Sequence, residues 1–246
     1  MSRFENRTVV VTGGAGGIGL ATAERFASEG AKVVIADRDA DHANAVVDQV
    51  KRAGARDAWA CACDVSDPAQ VASCVSAAIT RGGSLDVVVN NAGLMTFKSI
   101  VDLTRDDWTR VLGVDLLGAF FFIQQAFQHM KAGGAVVNVA SIHAVETEPM
   151  VAPYAAAKAA LVSLTRSAAL EGKPRGIRVN AVLPGAVDTP MLWDNPNVKA
   201  GIEKIDRADV GAPADIAAAI AYLASDDAKF VQGASLIVDG GRLDRL

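Results

Sequence analysis

Seven short runs of β-branched and small apolar residues recur along the chain, most of them followed by a longer stretch with helical spacing. That alternation restricts the fold more than any other feature. The expected strands are Thr8–Thr12, Lys32–Asp37, Ala58–Cys63, Asp86–Asn90, Ala135–Ala140, Ile177–Leu183 and Ser235–Asp239. Between them the spacing predicts helices over Gly17–Gly30, Ala40–Ala53, from Pro68, Arg105–Lys131, Val151–Gly172 and Pro213–Ser225. Gly30 and Gly54 are placed as helix stops, and Pro68 belongs in a first helical turn. Strands this apolar are buried on both faces, which requires a parallel sheet covered by helices on each side. The expected fold is therefore α/β, a doubly wound Rossmann-type sheet of seven strands. It forms one domain over residues 1–246. Ligands of such sheets bind at the carboxyl ends of the strands, so chemistry is sought just after each strand.

After the first strand comes Thr12-Gly13-Gly14-Ala15-Gly16-Gly17-Ile18-Gly19, which opens a helix. Glycines there let the backbone approach a pyrophosphate, and the helix N-terminus attracts its charge. Between a strand and a helix, this turn points to a dinucleotide, with Gly13, Gly16, Gly17, Ile18 and Gly19 as contacts. The second strand ends on Asp37, 18 residues past Gly19. A carboxylate there accepts hydrogen bonds from ribose hydroxyls and repels a 2′-phosphate, favouring NAD over NADP. Arg38 beside it offers a 2′-phosphate a guanidinium. Asp64 and Val65 follow the third strand and suit either adenine contact or a turn. Asn90-Asn91-Ala92-Gly93 ends the fourth, where Asn91, Ala92 and Gly93 let a cofactor lie close.

Tyr154 and Lys158 are four apart on an expected helix and so share a face. Ser141 directly follows the fifth strand. Removing an alcohol's proton needs a base, and free tyrosine, with a pKa of about 10, is a poor one at neutral pH. A lysine charge about 4 Å away, at an effective dielectric of about 20, stabilises phenolate by roughly 4 kcal/mol before desolvation is subtracted. Tyr154 then serves as general base in oxidation and general acid in reduction, with Ser141 holding the substrate oxygen.

With these residues in this order, the chain resembles the short-chain dehydrogenase/reductase family over its whole length. The resemblance rests on Thr12–Gly19, Asp64, Asn90–Gly93, Ser141, Tyr154-x-x-x-Lys158, Ile177–Asn180, Pro184-Gly185 and Asp239-Gly240-Gly241. It implies a catalytic set of Ser141, Tyr154 and Lys158, with Tyr154 and Lys158 also touching the cofactor and Lys158 holding the nicotinamide ribose. It further implies Asn91 near the adenosine, and Pro184, Gly185, Val187 and Thr189 around the nicotinamide. It implies a homotetramer built through the long helices and the last strand. One residue departs from the family pattern. Val114-Asp115-Leu116 stands where an asparagine is usual, and that asparagine is associated with a water joining the lysine to a proton relay. An ionised Asp115 offsets part of the lysine's effect; a protonated one does not. The expectation is an enzyme that tolerates Asp115 and has a shifted pH optimum.

Substrate contacts are sought in the loops after the strands. Candidates are Leu94, Met95, Phe97, Ile142, His143, Glu146, Glu148, Met150, Met191, Leu192 and Trp193, with Met95, His143, Met191 and Trp193 foremost. His143 suits a polar substrate or a pH-sensitive contact. The segment Asp188 to Asp209 is a candidate lid, and its modest size favours a small or medium alcohol, polyol or hydroxy acid.

Net charge −4 and pI about 5.4 give no reason to expect a nucleic-acid partner. No run reaches the ~18 consecutive apolar residues of a membrane helix. The short polar N-terminus does not read as a signal peptide. Cys61 and Cys63 share a strand face and read as small buried hydrophobes in a reducing cytoplasm. His42, His129 and His143 are scattered, so no metal is expected. Two alternatives to an NAD-dependent secondary-alcohol dehydrogenase are weighed. Asp37 argues against an NADPH-dependent carbonyl reductase of the 3-oxoacyl carrier-protein type. The set Ser141, Tyr154 and Lys158 argues against a noncatalytic dinucleotide-sensing module.

Overall fold

Val9 and Val11 point into one hydrophobic core and Val10 into another, and this alternation on the first strand sets the layers of the molecule. A computed structural model describes residues 2–202 and 204–243; of the expected domain span, residues 1, 203 and 244–246 lie outside them. The strands are β1 (Thr8–Thr12), β2 (Lys32–Asp37), β3 (Asp57–Ala62), β4 (Val87–Asn90), β5 (Ala135–Val139), β6 (Arg178–Pro184) and β7 (Ser235–Val238). They form one parallel sheet in the order β3-β2-β1-β4-β5-β6-β7, so strand order reverses between β1 and β4.

The helices are α1 (Gly17–Ser28), α2 (Ala40–Arg52), α3 (Pro68–Gly82), α4 (Arg105–Leu112), α5 (Gly118–His129), α6 (Ala152–Gly172), α7 (Pro190–Trp193), α8 (Pro196–Lys199) and α9 (Pro213–Ala224). One core joins β1 and β2 to α1, α2 and α9 through Phe26, Val46, Ile216 and Ile220. The other joins β1, β4 and β5 to α3, α5 and α6 through Val75, Phe122 and Ala168. Phe26 and Phe122 are fully buried, each contributing roughly 1.5–3 kcal/mol of transfer energy. Helix starts are fixed by side chains. Asp39 caps α2 through the His42 amide at 3.0 Å, Asp67 caps α3, and Thr104 and Asp107 cap α4 reciprocally.

The expected helix from Arg105 to Lys131 is not uniform. It ends at His129, and a π-helical turn, Gly113–Leu117, separates α4 from α5. By length and composition alone, Arg105–His129 would suffice to cross a membrane. Here it carries the buried Asp115 and lays Phe122, Ile123 and Ala126 on the sheet core instead. The strand β7 departs from the all-buried expectation: its residues alternate between exposed and half-buried, as befits a sheet edge. Cys63 falls just past β3 and is buried with Cys74 in the second core, with the half-buried Cys61 packed beside them.

Candidate functional site

Four strand ends, those of β1, β4, β5 and β6, open onto one cavity of about 550 Å³. One wall is the glycine turn. Gly13, with φ of 60°, and Gly17, with φ of 51°, take left-handed backbone that favours glycine. Gly16 caps α1 without any side-chain hydrogen bond, and the first turn holds no acidic residue. The helix therefore presents free amides and a positive dipole end to the cavity. Gly13, Gly16, Gly17 and Ile18 line it, with Asn91, Ala92 and Gly93 opposite. Gly19 does not face the cavity. It is buried against the Gly13 carbonyl, where a Cβ has no room, so it closes the turn from behind. Asn91 is spent on the same turn, its Nδ2 donating to the carbonyls of Thr12 at 2.9 Å and Gly13 at 3.2 Å.

Asp37 closes β2 beside that turn. Its carboxylate accepts the amides of Ala15 at 3.2 Å and Asp39 at 3.1 Å, which fixes its position. Arg38 is exposed next to it. Asp64 and Val65 lie outside the cavity. The Asp64 carboxylate takes the Ser66 amide and hydroxyl in a turn, and Val65 is buried in the second core.

The second wall carries Ser141, Tyr154 and Lys158. Ser141 ends the stretch after β5 and caps a 3-10 turn, Ile142–Ala144; its Oγ accepts the His143 amide at 3.2 Å. That bond leaves the Ser141 proton free to be donated outward. Tyr154 and Lys158 lie one turn apart on α6, both buried, and both line the cavity with Ser141. A buried polar relay holds α6 against the sheet. Asn90 Nδ2 donates to Asn138 Oδ1, Asn138 Nδ2 to Thr165 Oγ1, both at 2.8 Å, and Thr165 Oγ1 to the Leu161 carbonyl.

Lys158 Nζ donates to the Val139 carbonyl at 3.0 Å and lies 3.2 Å from Asp115 Oδ2. Burial works against its charge, yet Asp115 and Tyr154 together hold its pKa above the usual lysine value. Asp115 Oδ1 accepts the Leu94 amide at 3.0 Å. Burial pushes the Asp115 carboxyl up, against the pull of Lys158 and that amide. Burial likewise raises the Tyr154 phenol, with Lys158 pulling down, Asp115 pushing up and Ser141 pulling down.

The third wall comes from the loop after β5 and from residues past β6. Met95, Ile142, His143, Glu146, Glu148, Met191 and Leu192 line it, with Pro184, Gly185, Val187 and Thr189 at the base. The His143 ring stands edge-on to Tyr154 with centroids 5.8 Å apart. Burial holds its pKa below the usual histidine value, Glu148 opposing and Arg242 adding to the effect, which favours the neutral ring at neutral pH. Leu94, Phe97, Met150 and Trp193 do not line the cavity. Trp193 Nε1 donates to Asp188 Oδ1 at 2.6 Å and Arg207 stacks on its ring, so it braces the 188–209 segment from outside.

Sequence reasoning missed Thr147, Pro149, Asn195, Ile202 and Arg242. Arg242 follows two left-handed glycines, Gly240 and Gly241, whose turn is held by Asp239; that glycine pair is the signal that the chain doubles back.

Known proteins match this arrangement throughout. The family described as enoyl-(acyl carrier protein) reductase matches residues 13–242. Cis-4-hydroxycyclohexanecarboxylate dehydrogenase of Sinomonas cyclohexanicum is 44% identical, over 97% of this chain and 97% of its own. The 3beta-hydroxysteroid dehydrogenase 1 of Eggerthella lenta is 41% identical over 97% and 94%, and meso-2,3-butanediol dehydrogenase of Serratia marcescens 40% over 97% and 95%. A short-chain dehydrogenase from Burkholderia cenocepacia, crystallised with NADP, superposes with a TM-score of 0.90 at 36% identity, covering 97% of this chain and 98% of that one. A dehydrogenase/reductase from Sinorhizobium meliloti superposes with a TM-score of 0.91 at 37% identity over 98% and 96%. On its fold, its motifs and these relatives, the chain belongs to the short-chain dehydrogenase/reductase family of oxidoreductases.

Proposed function

We propose that the chain is an NAD(H)-dependent dehydrogenase that interconverts a small or medium secondary alcohol and its ketone, with Tyr154 as general acid and base. The observation that carries this reading is the convergence of Ser141, Tyr154 and Lys158 on the cavity that the glycine turn also lines. The residues fit a nicotinamide dinucleotide. The uncapped start of α1 suits the pyrophosphate, and Asn91, Ala92, Gly93, Pro184, Gly185, Val187 and Thr189 leave a smooth groove for the rest. The fixed Asp37 carboxylate suits ribose hydroxyls, which favours NAD, although the Burkholderia relative was crystallised with NADP. In this reading the adenine extends past the cavity toward Asp64 and Val65, which follow β3. When bound, the nicotinamide exchanges the hydride.

The chain's own groups handle the proton. In oxidation the Tyr154 oxygen takes the hydroxyl proton; in reduction it returns one to the carbonyl oxygen. Ser141 donates to that oxygen and steadies its developing charge. The mostly apolar third wall excludes water and suits an alicyclic or short-chain alcohol, the kind that the relatives' names describe. Segment 188–209 serves as the lid, with Met95, Met191 and His143 as substrate contacts.

The reading includes a cytoplasmic homotetramer, with a small-molecule substrate and neither nucleic-acid nor membrane partners. Exposed apolar residues support the assembly: Leu117, Phe120 and Leu170 along the stretch from the π-helical turn through α5 and α6, and Tyr222, Phe230 and Ile237 toward β7. The test is reduced-nicotinamide absorbance with NAD⁺ or NADP⁺ against a panel of secondary alcohols. Turnover with NAD⁺ is expected; turnover only with NADP⁺ overturns the role of Asp37 and moves the assignment to a carbonyl reductase.

A further inference from the structure

We infer that Asp115 is a positioning residue whose carboxylate takes up much of the Lys158 charge that would otherwise serve Tyr154, leaving the site poised at neutral pH to give a proton to a carbonyl. This deepens the proposed function and rests on its assignment of Tyr154. The geometry carries it. Oδ1 accepts the Leu94 amide and Oδ2 faces Lys158 Nζ at 3.2 Å. The Lys158 ammonium is a donor only, so a proton on Oδ2 would meet another donor there. The partners of both oxygens, an amide and an ammonium, favour the carboxylate over the acid. Asp115 and Lys158 have side-chain exposures of 0% and 4%, so water screens the pair little.

The charges that act on Tyr154 are Lys158 and Asp115; Glu148 and Arg242, which line the same cavity, act on His143. Lys158 comes from α6, Asp115 from the π-helical turn, and Ser141 and the neutral His143 from the segment after β5. Val111 and Leu112 of α4, with Leu94 and Met95, contribute only apolar groups. The fixed charge beside the phenol is one ammonium and one carboxylate, where an asparagine would leave the ammonium alone. The directions at Tyr154, with Lys158 pulling down and Asp115 pushing up, agree with this.

A second feature shows that the pair is built in. A Cβ on Gly93 would lie 2.9 Å from Asp115 Oδ2 and 3.3 Å from Lys158 Nζ, so a larger residue would crowd the ion pair. The Leu94 bond then ties the loop from Asn91 to Met95, which lines the cavity, to the same carboxylate.

The chain has two tyrosines, Tyr154 and Tyr222, which allows a direct test without any substrate. In a Tyr222→Phe background, the ultraviolet absorbance of tyrosinate reports Tyr154 alone. Asp115→Asn is expected to lower the ionisation midpoint by about one pH unit or more. The rising limb of kcat/KM for alcohol oxidation should move to lower pH by the same amount. Asp115→Ser guards against a folding defect in Asp115→Asn, with circular dichroism recorded at each pH. If unfolding precedes ionisation, the kcat/KM limb decides. Coincident midpoints, or coincident limbs, overturn the inference and leave the catalytic reading intact. A lowered midpoint in a protein that turns over no alcohol sustains the charge argument while the catalytic reading fails.

Discussion

The cavity's two sides are held on opposite terms. On the side of β1, β4 and β5, buried polar side chains tie the elements to one another. Asn90, Asn138 and Thr165 form a relay, Asn91 stitches the glycine turn, and a Cβ on Gly19 would strike the Gly13 carbonyl. Across from it, residues 188–202 form two helices of four residues each, latched by a few side chains. Asn195 Nδ2 donates to Glu148 at 3.1 Å, and Asn197 Nδ2 donates to the Pro149 carbonyl at 3.1 Å. The first side has no slack for substitution; the second can be re-cut without disturbing the sheet. Relatives about 40% identical carry names as different as a steroid and a butanediol dehydrogenase, as befits a fold whose specificity lies in its loops.

The largest effect that would break this contrast is at Gly19. Gly19→Val is expected to cost about 3 kcal/mol or more of stability and to abolish cofactor binding, read by thermal unfolding and nicotinamide fluorescence. Gly201→Ala on the other side, in open space with φ of 69°, should cost about 1 kcal/mol from its backbone alone. Equal losses would mean that the two sides do not differ in rigidity. Next comes Asp37→Ser. A hydrogen bond to a charged group is worth about 1.5–3 kcal/mol, so the kcat/KM preference for NAD⁺ over NADP⁺ should fall about tenfold or more.

Smaller is Asn195→Ala, which removes the Glu148 latch and the cap on Asn197. KM should rise about fivefold, the equivalent of the one bond to Glu148 that reaches the cavity wall, with kcat little changed. A matching loss in kcat would place this segment in the chemistry. Smallest is Trp193→Phe. Losing the Asp188 bond of an outer brace should cost about 1 kcal/mol or less in stability and leave KM unchanged.

The first side was also the more legible in the sequence. Its strands are unbroken β-branched runs, its glycines sit between strand and helix, and Ser141, Tyr154 and Lys158 lie close in the chain. Hydrophobic periodicity does not register a π-helical turn, because Gly113–Leu117 keeps its apolar residues and adds only one residue per turn, so the helix over Arg105–Lys131 was expected unbroken. The short helices α7 and α8 escaped for a different reason. Each has four residues, too few for a period to show, and their starts are marked by Pro190, Asn195 and Pro196. Trp193 shows the limit of reading contacts from loop position: its place after β6 was right, but its indole turns to Asp188 and not to the cavity. Arg242 shows the converse, a wall residue brought from the far end of the sequence by one glycine turn.

The proposed reaction turns on Tyr154 moving the proton, with Ser141 and Lys158 supporting it. Tyr154→Phe removes one oxygen from a buried ring and leaves the glycine turn and Asp37 untouched. The account predicts that reduced nicotinamide still binds with wild-type affinity, read by fluorescence titration, while kcat for alcohol oxidation falls about a thousandfold, the range typical of a positioned general base. Wild-type turnover in that variant would contradict it.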